Sequence, residues 1–252
     1  MNDGTDSSNS IGYAIFGDRI LLLAIALSAL AALVLGFQVV DTTLAVGGTV
    51  LLGLLAAVVY ASAKGTSLSK YVLSFVLIGF VVLHIQLSRG MLEFHFGVFV
   101  SLAALLVYRD WRVVVFGALM YALHHVGFDR LQAAGFGLYC LSEPNFATIL
   151  LHAAYVVVQA GVEIVLVLGM SRAAQAGDEL GVLVRQVNRA EGIALDVSAV
   201  AVATPAGEAL KSTLARMAQA VGAVRVGASS IELACSEIAS GNQDLSNRTE
   251  QT

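Results

Sequence analysis

Residues 20–170 contain six predominantly apolar runs separated by short polar breaks: 20–40, 44–63, 71–88, 91–108, 112–128 and 146–170. A helix needs about 20 such residues to cross the hydrocarbon core of a bilayer. No soluble fold could bury all six, because the chain is 58% hydrophobic and only 13% charged, against about 25% charged in a typical soluble domain. The expected fold class is therefore all-α: a polytopic membrane helix bundle of six transmembrane helices, followed by a polar, Ala-rich cytoplasmic coiled-coil helix. The third to fifth runs are short, which implies tilt or local thinning of the bilayer. Asp18 and Arg19 precede the first run where a signal peptide would carry a basic region, and no small-residue cleavage site follows it. It reads as a retained span.

Cytoplasmic loops carry the excess of Lys and Arg. With the N-terminus inside, Lys64, Lys70, Arg109, Arg112 and Arg172 lie on the cytoplasmic face, while only Arg89 and Arg130 lie on the other. Both termini are then cytoplasmic. A net charge of -4 with no basic patch argues against nucleic-acid partners. The two cysteines, Cys140 and Cys235, fall in an outer loop and in the cytoplasmic helix, so the membrane separates them and a disulfide framework is excluded. No nucleophile–base pair, phosphate loop or metalloprotease motif points to an enzyme.

Beyond Arg172, residues 173–187 suit a helix, and residues 188–204 read as a connector. Pro205 fits the first turn of a further helix with Thr204 as its N-cap. From there Leu210, Leu214, Met217, Val221, Val224, Ala228, Ile231, Cys235, Ile238, Asn242 and Leu245 recur in alternating steps of four and three, the heptad seam of a coiled coil. Residues 238–251, IASGNQDLSNRTEQ, resemble the segment that opens the methylation helix of methyl-accepting chemotaxis proteins. Residues 206–225 resemble, more loosely, the second helix of a HAMP relay. The resemblance implies a homodimeric receptor of the bacterial inner membrane. It divides the chain into an N-terminal tail (1–19), a six-span sensor (20–170), a HAMP-like relay (171–225) and the start of the signalling helix (226–252). A chemotaxis histidine kinase and its coupling protein would engage only a region beyond Thr252, so the chain reads as the input and relay portion of a longer receptor or a truncated product.

All five histidines, His84, His95, His124, His125 and His152, lie near the outer ends of the last four spans. Ionisable residues in a membrane are costly and usually face the bundle interior. His152, Tyr155, Gln159 and Glu163 follow at helical spacing and should share one stripe, with Glu163 near mid-bilayer beside Gln159. His124 and His125 point about 100 degrees apart, so one should face the site and the other a neighbour. Two cofactors fit such a layer. A b-type haem would take two imidazoles from among these five histidines as axial ligands, with Arg89 and Arg130 on its propionates and with Gly79, Gly97, Gly117 and Gly161 leaving room. A copper, zinc or iron ion would take His84, Glu93, His95, His125 and His152, although Glu93 and His95 point to different sides of their helix. The leading expectation is a transmembrane chemoreceptor for a redox, gas or metal signal. The alternative is a small membrane transporter or membrane redox protein with a dimerisation tail.

Overall fold

The computed structural model describes residues 3–39, 41–189 and 192–250. These form seven α-helices: α1 (Asp3–Val39), α2 (Thr42–Ala63), α3 (Ser67–Leu87), α4 (Phe96–Leu105), α5 (Trp111–Ala133), α6 (Phe146–Val187) and α7 (Pro205–Glu250). A two-residue hairpin, β1 (Asn188–Arg189) paired antiparallel with β2 (Gly192–Ile193), follows α6. Val40, residues 190 and 191 of the expected connector, and the two residues at each chain end lie outside the described residues.

Five helical stretches are long and apolar enough to cross a membrane by length and composition: Ile11–Gln38, Thr42–Ala63, Ser67–Leu87, Trp111–Ala133 and Phe146–Val187. The expected fourth span departs from this pattern. It is a shorter apolar segment, Leu92–Tyr108, in which α4 is flanked by 3-10 turns at Leu92–His95 and Leu106–Tyr108. Arg109, in the left-handed region at φ 50°, ends it. Residues 3–19 of the expected N-terminal tail are helical, continuous with the first apolar stretch in α1. The helix can run through Asp18, which is fully buried, because that carboxylate is satisfied. It accepts from the Gly65 N–H (2.7 Å), the Ser69 hydroxyl (2.8 Å) and the Tyr108 hydroxyl (2.9 Å).

Helix starts follow the sequence closely. Asp41, Thr66 and Asp110 cap α2, α3 and α5 by accepting from Leu44, Ser69 and Arg112 N–H groups, and the Asn145 side chain accepts from Thr148 N–H at the start of α6. These bonds satisfy donors that a helix leaves unpaired in its first turn.

Residues Met1–Ser171 and Arg172–Thr252 form two compact units. In the first, α3 is central, with Leu73, Val76, Phe80 and Ile85 buried against α1 (Leu21, Ile25), α2 (Ala56, Val59), α4 (Leu102, Leu105) and α5 (Val113, Tyr121). The outward faces remain apolar: Leu23, Leu27, Leu30, Leu51, Val58, Val157 and Val165 are all exposed. Such surfaces are liabilities in water and are compatible with a membrane protein. Between helices in lipid, close approach rather than water exclusion drives packing. A Cβ on Gly36 would come within 2.2 Å of Ala45 Cβ, and one on Gly48 within 2.9 Å of Leu83.

In the second unit, Thr204 caps α7 through Gly207 N–H (3.1 Å), with Pro205 in the first turn. Glu179 of α6 accepts from Ala203 N–H, Thr204 N–H and the Thr204 hydroxyl, and Lys211 donates to the carbonyls of Ser198 and Val200. The hydroxyl and N–H bonds from Thr204 to Glu179 hold that carboxylate below its ordinary range. Along α7, Met217, Val221, Val224, Ile231, Ile238 and Leu245 are exposed.

Candidate metal centre

Three histidines from separate elements meet in the first unit. His95 closes the 3-10 turn before α4, His125 lies on α5 and His152 on the first turns of α6. Their ring centroids are 5.6 Å (His95–His125), 5.4 Å (His95–His152) and 6.0 Å (His125–His152) apart. His95 and His125 are buried and His152 is half-buried.

Each ring is held in the same way. Nδ1 faces the carbonyl four residues earlier: Met91 for His95 (3.1 Å), Tyr121 for His125 (2.8 Å) and Thr148 for His152 (2.8 Å). A nitrogen facing a carbonyl must carry the proton, so Nδ1–H donates and Nε2 keeps its lone pair. Metal-binding imidazoles are oriented by this kind of second contact. His95 Nε2 is buried with no hydrogen-bond partner, and both ring nitrogens of buried His124 are likewise unpaired. An unpaired buried polar atom costs about 1–3 kcal/mol, and several of them in one place mark a site.

Cys140 completes the cluster. Its Sγ and one nitrogen each from His95 and His125 all lie within 4.8 Å of one another, and all three residues are buried. Nothing in the sequence singled this cysteine out, because it belongs to no short motif. The loop between α5 and α6 brings it in, and two glutamines fasten that loop. Gln132 accepts from the Cys140 and Leu141 N–H groups and donates to the Leu141 carbonyl (2.7 Å). Gln86 accepts from Tyr139 N–H (2.8 Å) and donates to the Gly137 carbonyl. Burial, with the Asp129 carboxylate nearby, pushes the Cys140 thiol up to about 12.

The other expected site residues lie elsewhere. His84 donates from Nε2 to the Ser28 carbonyl of α1 (2.8 Å) and makes no ring contact with the cluster. Glu93 and Arg89 are exposed. Arg130 pairs with buried Asp129 and stacks over Phe146 (4.5 Å). Of the adjacent pair, His125 faces the cluster, while His124 packs on Phe128 (4.3 Å) and edge-on against His125 (5.2 Å). The α6 stripe also needs correction: Tyr155 is 61% exposed, and the buried face runs through Ile149, Val156, Ala160, Glu163 and Val167. Glu163 accepts from the Gln159 amide (2.6 Å).

Arg130, one of the two arginines expected to pair haem propionates, is engaged by Asp129. Space expected at the glycines is filled by protein, with Leu52 against Gly79, Val81 against Gly97, and Leu102 and Leu105 against Gly117; Gly161 meets no neighbour. A single ion suits the cluster. No protein-family model, curated protein or solved structure matches the chain.

Proposed function

We propose that this chain is a homodimeric membrane chemoreceptor that detects a transition-metal ion on the non-cytoplasmic side of the bilayer, through His95, His125 and His152, and passes the signal to a cytoplasmic coiled coil. The observation that carries the reading is the common anchoring of three imidazoles by Nδ1–H bonds, which leaves three lone pairs in one neighbourhood. Imidazole suits copper, zinc, iron and nickel.

A six-span topology supports placing the site outside. The ten α-helical residues of α4 and the seven 3-10 residues flanking it extend about 29 Å at ~1.5 and ~2.0 Å per residue, close to the hydrocarbon thickness of about 30 Å. With six spans, the basic loop residues favour both termini inside. The exposed apolar seam of α7 and the likeness of residues 238–251 to a methylation helix support a receptor rather than a transporter. Transmission would run through α6, which bears His152 and continues as one helix to Val187. An ion drawing His152 towards His95 and His125 binds one position of α6 better than another, and only such differential binding can shift an equilibrium.

The test is metal binding by the purified chain in detergent, measured by calorimetry and elemental analysis with Zn(II) and copper. One ion per chain is expected, with affinity falling more than about 100-fold in His95→Ala and His125→Ala, since loss of even an outer-shell partner costs about 10–100-fold. Uptake that these variants leave unchanged would refute the proposal.

A further inference from the structure

We infer that Cys140 is a thiolate ligand of this site, so that with His95, His125 and neighbouring His152 it takes a thiophilic d10 ion, Zn(II) or Cu(I). The inference rests on the metal reading above and narrows it. Three independent features of the structure carry it.

The first is donor geometry. The Cys140, His95 and His125 ligand atoms lie within 4.8 Å of one another, and in a tetrahedral site with bonds of about 2.0 and 2.3 Å they would stand roughly 3.3–3.6 Å apart. A closure of at most about 1.5 Å converts one arrangement into the other. His152, whose ring is 5.4 Å from that of His95, supplies the fourth donor.

The second is that the cysteine is placed deliberately. Cys140 is fully buried in a loop whose backbone is tied on both sides of it by Gln86 and Gln132. Gly90 lets the loop settle, because a Cβ there would lie 2.3 Å from the Leu141 carbonyl carbon. Asn145 N–H donates to Asp129 and closes the loop (3.1 Å). The third is His95 Nε2, buried in the same cluster and making no hydrogen bond of ordinary geometry, with the Cys140 backbone as a polar neighbour of that imidazole.

Chemically, the Cys140 S–H bond breaks as the sulfur–metal bond forms, and the proton passes to solvent. The ion keeps its oxidation state, so no oxidant or reductant is needed. Thiolate and imidazole together select soft and borderline ions over the hard cations that oxygen ligands hold.

The experiment uses the full chain in detergent with Cys235→Ser, leaving Cys140 as its one thiol, titrated with Co(II) under reducing, anaerobic conditions. The expected result is a near-ultraviolet sulfur-to-cobalt charge-transfer band that saturates at one equivalent, together with visible bands of tetrahedral intensity. One equivalent of Zn(II) or Cu(I) should bleach both, and the ion that does so more effectively is the better ligand match. Adding Cys140→Ser should abolish the charge-transfer band and weaken binding at least about tenfold. Visible Co(II) bands without the charge-transfer band, in a chain whose Co(II) affinity Cys140→Ser does not alter, would overturn the cysteine's role and leave the histidine site standing. No uptake of Co(II), Zn(II) or Cu(I) would overturn both. The band in the Cys140-containing chain is read without the Cys140→Ser variant, so a folding defect in that variant cannot obscure the outcome.

Discussion

Asp18→Ala should destabilise the bundle by about 2–6 kcal/mol, at two buried donors worth about 1–3 kcal/mol each. The carboxylate is fully buried and takes hydrogen bonds from three elements, namely the α2–α3 turn (Gly65 N–H), α3 (Ser69 hydroxyl) and the 3-10 turn after α4 (Tyr108 hydroxyl). Alanine leaves the buried Ser69 and Tyr108 hydroxyls without that acceptor; the Gly65 bond is only partly buried, and water can replace it. Asparagine is a sharper probe. Its carbonyl can keep the Gly65 and Ser69 bonds while its amide faces the Tyr108 oxygen, which can accept. Exchanging charge-assisted bonds for neutral ones costs about 1–3 kcal/mol in all. Reversible unfolding in mixed detergent–SDS micelles should therefore rank wild type above Asp18→Asn above Asp18→Ala. If Asp18→Ala unfolds within about 0.5 kcal/mol of wild type, the buried carboxylate does not tie α1 to the α2–α3 turn and to the segment after α4, and the reasoning fails.

Gly90→Ala sets a Cβ against the Leu141 backbone at φ +77°, so about 1–3 kcal/mol of strain should displace the loop. Maleimide labelling of Cys140 should accelerate while helical content stays constant, and an unchanged rate would refute the loop's role. Cys235, exposed on the α7 seam, should give a disulfide-linked dimer on mild oxidation of the full chain in detergent; a product that stays monomeric at high protein concentration argues against a parallel, in-register rod. Burial raises the pKa of Asp110, but the Lys70 hydrogen bond and charge with the Arg112 N–H outweigh it and hold the carboxyl below its usual range. A depressed folded value stabilises above the unfolded pKa of about 3.9 and is lost as pH falls below it, by less than about 1 kcal/mol for a partly exposed pair. Asp110→Asn should flatten that part of the acid unfolding curve, and an identical curve would show that the pair contributes nothing.

Most of the helices were legible in the sequence, because a long apolar run and a capping residue are local properties of the chain. Thr204 and Pro205 marked the start of α7, and five long apolar helices were legible from hydropathy, whereas the run 91–108 became a shorter helix between 3-10 turns. Periodicity also fixed the direction of each side chain about its own helix axis, which is why His124 and His125 could be expected to diverge. It could not say which neighbour occupies that direction. His84 turns to Ser28 of α1, Tyr155 falls outside the buried face of α6, and Cys140 joins His95 and His125 across large sequence separations. Only tertiary structure decided these, since they depend on how closely the helices approach at small residues and on how Gln86 and Gln132 fold one loop back over the bundle. Side-chain hydrogen bonds between distant segments leave no periodic trace in sequence, so the site's fourth residue became visible only when the chain was packed.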